Sequence, residues 1–132
     1  MLFCWSGQIP WIVVTNPGNP VPKGRPRVAQ QDGKSHAYTP KETTKAEHDW
    51  AWCLKATRRG LNPEADQLFG VYLEFHTRGK RRVDIDNAVK LVLDAANGIV
   101  WKDDSQVVEQ SARLYRGSDD PRTELVIYRV DS

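Results

Sequence analysis

Between Leu68 and Tyr115 the spacing of apolar residues changes twice, and that change narrows the folds open to this chain. Leu68, Val71, Leu73 and Phe75 stand against Tyr72, Glu74 and His76 at the period of a strand, with Gly70 interrupting the alternation. From Asp86 to Asn97 the period becomes helical. Ala88, Val89, Val92, Leu93 and Ala96 fall on one face, and Asn97-Gly98 supplies a stop. Asp86 is the expected N-cap of that helix. Val107 to Tyr115 and Thr123 to Val130 then return to strand spacing, joined by a turn over Arg116 to Pro121.

The first half adds a second helix. Ile9 to Thr15 is β-branched and apolar and reads as a buried strand. The segment from Asn16 to Arg27 holds four prolines and two glycines, so it is a shaped loop. Asp32-Gly33 marks a hairpin between two short polar strands within Arg27 to Tyr38. Thr39-Pro40-Lys41 opens a helix, with Thr39 as N-cap and Glu42 completing a capping box. Ala46, Trp50, Cys53, Leu54 and Thr57 form its buried stripe, and Gly60 ends it. At 132 residues this reads as one compact domain over 1–132. The fold class expected is α+β, a mixed sheet packed against two helices, the second carrying a site at its N-terminus.

No stretch approaches the roughly 20 apolar residues of a membrane span. Cys4 and Cys53 lack metal-ligand spacing and read as reduced thiols, which implies a cytoplasmic protein. The apolar segment Met1 to Gly7 lacks a basic start, so it does not read as a signal peptide. A net charge of +2 is too small to identify a partner. Its distribution says more: Lys23, Arg25 and Arg27 form one basic group, and Arg78, Lys80, Arg81 and Arg82 another. Such runs suit phosphate.

Directly after the second basic group come Asp84 and Asp86. Lys90 lies four residues beyond Asp86 on the same helix face, and Asp94 a further turn along. A return strand after Ile99-Val100-Trp101 would bring Asp104 back beside Asp84 and Asp86. Three carboxylates held together repel one another unless a cation sits among them. Mg²⁺ or Mn²⁺ favours such oxygen donors, and the scarcity of nitrogen and sulfur ligands argues against zinc. A metal there would activate water and neutralise charge at a scissile phosphate, with Lys90 at the transition state or leaving oxygen. Each residue also has a plain structural reading: Asp86 as a cap, Asp84 as a partner of Arg81 or Arg82, Lys90 as a partner of Asp86 or Asp94, Asp103-Asp104 as a turn. His76, alone on the polar face of its strand, reads as surface and not as a base. Trp50 reads as core.

The string Asp84-Ile85-Asp86-Asn87-Ala88-Val89-Lys90, with Asp94-Ala95 and Gly98-Ile99-Val100-Trp101-Lys102-Asp103-Asp104-Ser105-Gln106-Val107, resembles the RusA family of Holliday-junction resolvases. Val21-Pro22-Lys23-Gly24-Arg25-Pro26-Arg27 and Tyr38-Thr39-Pro40-Lys41 resemble it too. The resemblance implies a Mg²⁺-dependent homodimer, with Mn²⁺ as a substitute ion, that places paired symmetric nicks in a four-way junction or other branched DNA. It implies Asp84, Asp86, Lys90 and Asp104 as catalytic residues, with Asp84, Asp86 and Asp104 binding the metal. Asp103 is a weaker candidate, and Asn87 would brace the helix start or a ligand. Lys23, Arg25, Arg27, Arg78, Lys80, Arg81 and Arg82 would hold the DNA backbone. The competing readings are a non-catalytic branched-DNA-binding module and a glycosyl transferase using Asp84-Ile85-Asp86. The chain is short for the latter and has no Gly-rich nucleotide loop.

Overall fold

The computed structural model describes residues 9–24, 27–31, 33–38, 40–57, 66–80 and 82–131, with backbone alone at 27, 29, 31 and 36–38. Its elements in chain order are β1 (Ile12–Pro17), β2 (Arg27–Gln31), β3 (Lys34–Tyr38), α1 (Lys41–Thr57), β4 (Leu68–His76), α2 (Ile85–Ala96), a 3₁₀ turn (Asp104–Gln106), β5 (Val107–Tyr115) and β6 (Arg122–Val130). β1, β6, β4 and β5 form one sheet in that order, and β2 with β3 forms a separate hairpin. β4 is parallel to β5 and antiparallel to β6, so the sheet is mixed, as the sequence suggested. The fold is α+β. Cys4, Thr39, Gly60 and Met1 to Gly7, as well as Asp32 of the hairpin turn, lie outside the described residues.

Strand register builds the core in rows. Ile12 and Val71 both pair with Ile127, and Val14 and Leu73 both pair with Leu125. All six are buried. They meet Ala46, Trp50 and Leu54 of α1 and Ala88, Val89, Leu91, Val92, Ala95 and Ala96 of α2 in one cluster. A buried aliphatic side chain contributes about 1.5–3 kcal/mol, so rows of this kind fix which face of each helix turns inward. β1 starts at Ile12, not Ile9, because Ile9 is exposed and ladder pairing with β6 begins at Ile127.

β4 departs most from its sequence pattern. Its Tyr72, Glu74 and His76 face was expected to meet solvent, yet Glu74 is buried and His76 is nearly so. β4 is an inner strand with β6 on one side and β5 on the other, so its polar face is closed in by neighbours' side chains. Gly70 shows how tightly that face packs. A Cβ built there would stand 2.2 Å from the Tyr128 ring. Gly70→Ala is therefore expected to cost about 1–3 kcal/mol as an overpacked site, read as a lower urea midpoint with an unchanged slope.

Candidate active site

α2 begins one residue earlier than expected, and its cap is Asp84, not Asp86. The Asp84 carboxylate accepts from the Asn87 backbone N–H at 3.2 Å and from Asn87 Nδ2 at 3.1 Å. Asn87 thus braces the helix start, as the sequence suggested. The cap falls on Asp84 because only Asp84 has a residue three positions on, Asn87, whose side chain answers it. Asp86 then sits in the first turn, where a negative charge suits the helix dipole. The buried face of α2 is turned to the sheet, so Asp86 and Lys90 point outward and both are exposed. Among the described residues neither makes an ion pair within 4.0 Å, and Lys90 is partner to neither Asp86 nor Asp94.

The segment feeding into α2 is pinned. Thr77 N–H donates to the Tyr115 carbonyl at 2.9 Å, Gly117 N–H to the Gly79 carbonyl at 2.8 Å, and Arg78 N–H to Asn19 Oδ1 at 3.1 Å. Gly79 turns the chain with a φ of 65°. Arg78, Lys80 and Arg82 are exposed beyond these anchors. Arg81 and Arg25 lie outside the described residues, and only the backbone of Arg27 is described.

Lys23, alone among the described cations of the two basic groups, is held by carboxylates. Its ammonium is bonded to Asp94 and lies 3.4 Å from Glu47 Oε1. Its own backbone N–H donates to the Asn87 carbonyl at 2.9 Å, and the next N–H, of Gly24, to Thr43 Oγ1 at 2.9 Å. Lys23 thus straps the proline-rich loop to both helices, and it is already paired where a free phosphate contact was expected. The Asp94 hydrogen bond holds the Lys23 amine above its ordinary 10.5. Glu47 Oε1 is buried with no hydrogen bond of its own, so removing the ammonium would leave two carboxylates together. Lys23→Met is expected to lower stability by about 1–2 kcal/mol. A raised amine stabilises the fold fully below 10.5 and loses that contribution as pH climbs through the folded value. Urea titrations of the two proteins should therefore differ at neutral pH and converge in strong alkali.

After α2 the chain does not return as a strand. Gly98 takes a φ of 79°, and the Ala96 carbonyl accepts from both Ile99 and Val100 N–H at 3.0 Å. Trp101 is fully buried and its Nε1 donates to Asn97 Oδ1 at 3.0 Å. This knot delivers Asp103 as the cap of the 3₁₀ turn, in a capping box with Gln106. Hydrogen bonds from Ser105 hold the Asp103 carboxyl below its usual range. Asp104, half-buried, opens the turn itself, which touches α2. The spacing Asp103-x-x-Gln106 carries the capping-box signature and was readable in the sequence.

The donors of Asp84, Asp86 and Asp104 are all oxygen, which suits Mg²⁺ or Mn²⁺. Asp84 spends two of about four lone-pair sites on Asn87, and no other described residue bonds to its carboxylate. The three acids are not drawn into a group with ligand atoms within 4.8 Å of one another. Among the described residues that closeness belongs to Glu74, His76 and Glu124. His76 Nε2 lies 3.1 Å from Glu74 Oε1 and 3.6 Å from Glu124 Oε2. The reading of His76 as a surface residue is thereby overturned. The Tyr72 hydroxyl donates to Glu74 Oε2 at 2.8 Å, and burial first, then that contact, pushes its phenol up. Cys53 is half-buried, and burial raises its thiol, in keeping with an unreactive cysteine.

An α+β chain that presents two carboxylates and a lysine at the open start of a helix, behind a pinned basic segment, has the build of an enzyme acting on nucleic-acid phosphodiesters. Residues 17–128 match the family described as endodeoxyribonuclease RusA, and the chain belongs to that family, nucleases that act on branched DNA with divalent metal. The chain is also 28% identical, over 138 aligned residues, to a Bacillus subtilis (strain 168) protein named "Uncharacterized protein YqaN", with 87% of this chain and 94% of that protein covered. No helix among the described residues is long and apolar enough to cross a membrane.

Proposed function

We propose that this chain is a Mg²⁺-dependent endonuclease that resolves four-way DNA junctions by paired symmetric nicks in recombination and repair, acting as a homodimer in the cytoplasm. The observation that carries the reading is the exposed, unpaired placement of Asp86 and Lys90 on the first two turns of α2, within a family match spanning most of the chain. Asp84, Asp86 and Asp104 would hold the metal, and Mn²⁺ would substitute. When bound, the cation supplies Lewis-acid polarisation of the phosphodiester. Lys90, one turn above Asp86, offers its ammonium to the phosphate oxygens as charge builds. Arg78, Lys80 and Arg82, with Arg25, Arg27 and Arg81, hold the DNA backbone without reading sequence. Lys23 contributes by fixing the loop that carries Arg25 and Arg27, and it would reach phosphate only by exchanging Asp94 for DNA. A four-way junction has approximate two-fold symmetry, which a symmetric dimer matches.

The test is cleavage of a labelled mobile four-way junction beside linear duplex of the same sequence, with Mg²⁺ and with chelator. Symmetric nicks on the junction alone, absent with chelator, are expected. Tight junction binding with no nicks under Mg²⁺ or Mn²⁺ would favour the non-catalytic binding module instead.

A further inference from the structure

The Glu74, His76 and Glu124 group takes no part in the chemistry above, yet its arrangement is specific. Strand alternation sets Tyr72, Glu74 and His76 on the sheet face opposite the helices. The β4–β6 register places Glu74 directly across from Glu124 and His76 across from Arg122. Like charges opposed in an antiparallel pair destabilise it, and burial enlarges that cost. Here both glutamates are buried, with 6% and 4% of their surface exposed.

The existing partners answer this only in part. Glu74 has the Tyr72 hydroxyl and His76. Glu124 accepts no hydrogen bond from any described residue, and its cationic neighbours, His76 Nε2 and Arg122 Nη2, each stand at 3.6 Å. This carboxylate, nine-tenths buried and without a hydrogen bond from any described residue, has Nε2 of the His76 ring as a neighbour at 3.6 Å. That ring is itself held flat against Tyr115, with centroids 4.7 Å apart and planes at 7°, so Nε2 is directed between the two acids.

We propose that Glu74, His76 and Glu124 form a cation site distinct from Asp84, Asp86 and Asp104, taking a transition divalent ion such as Zn²⁺ and tying β4 to β6. Tetrahedral donors about 2.0–2.2 Å from zinc lie roughly 3.4 Å apart. The observed 3.1 and 3.6 Å separations bracket that value, and the third pair lies within 4.8 Å. One imidazole nitrogen with two carboxylates selects a borderline ion over Mg²⁺, which favours oxygen alone. The ion would take the Nε2 lone pair, and any proton displaced from that atom would leave to solvent. The cation would also relieve the charge opposition that the ladder imposes.

The experiment is calorimetric titration of the metal-stripped full chain with Zn²⁺, in the wild type and in Asp86→Asn, His76→Gln and Glu124→Gln. One ion per chain is expected, with affinity kept in Asp86→Asn and weakened at least about tenfold in the other two, since even indirect partners of a metal site cost that much. Equal affinity in all four proteins would overturn the proposal, as would loss only in Asp86→Asn or no saturable binding. Should the His76 and Glu124 variants not fold, Co²⁺ bound to the wild type decides. Paramagnetic shifts of the His76 ring protons are expected, and shifts confined to residues around Asp84 and Asp104 would sink the idea. The readout is binding, so it stands or falls apart from nuclease activity.

Discussion

Asp86→Asn should leave a folded protein that binds branched DNA and no longer cuts it, with cleavage down at least about 10²-fold. Asp86 lies in the first turn of α2, exposed, and no described residue forms an ion pair or hydrogen bond with its carboxylate. Its structural contribution is thus limited to the helix dipole, worth about 0.3–1 kcal/mol. Asparagine keeps the shape and loses the charge, so a large catalytic loss with a small change in urea midpoint would isolate a chemical role. Asp84→Asn is the companion. Asparagine caps almost as well as aspartate, so the helix should survive there too, whereas Asp84→Ala would forfeit about 1 kcal/mol of cap. Junction cleavage by Asp86→Asn within a few-fold of wild type would remove this residue from the mechanism.

Trp101→Ala should be the most damaging single truncation to the fold, at about 3–5 kcal/mol. That is a large share of the roughly 5–15 kcal/mol that holds a domain together. Trp101 has no exposed surface, and its ring lies 5.6 Å from Phe69, which in turn stacks on Trp11 at 5.3 Å. Its indole N–H satisfies Asn97, the C-cap of α2. Losing it would leave a void under the chain that leads to Asp103 and Asp104, so activity should fall by more than the unfolded fraction explains. Trp101→Phe refills most of the void and should recover much of the stability, while the Asn97 contact stays lost. Urea unfolding of the three proteins measures this, and a loss below about 1.5 kcal/mol for Trp101→Ala would contradict the packing argument.

How much of this was readable beforehand depends on the kind of signal. α2 was legible because Ala88, Val89, Val92 and Ala96 repeat at helical spacing and bury together, with Leu93 at the edge of that face and Leu91 and Ala95 joining it. β4, β5 and β6 were legible to within a residue or two. Glu74 and His76 were misread because alternation reports which residues share a face, not whether a second layer of side chains closes it. The pairing of Lys23 was not legible for a related reason: a basic run shows charge but not which cation has an acid waiting on a distant helix. The start of α2 was legible at Asp84-Ile85-Asp86, with the cap on Asp84 where Asp86 was expected. The return strand expected to bring Asp104 back is instead a turn built on Gly98 and the Ala96 carbonyl; Ile99-Val100-Trp101 is too brief an apolar segment for periodicity to reveal it.

The order of strands has a consequence for how the protein is born. β6 is synthesised after β1, β4 and β5, yet it lies between β1 and β4 and supplies both with their ladder partner. A nascent chain that has not reached Arg122 has no bridge between its first strand and its middle one, and the buried rows through Leu125 and Ile127 do not exist. Pairing elements from opposite ends of a sequence is slow as well as late. The sheet that carries α2 thus closes only once β6 has left the ribosome, and chains arrested before β6 should be cut readily by protease along β4.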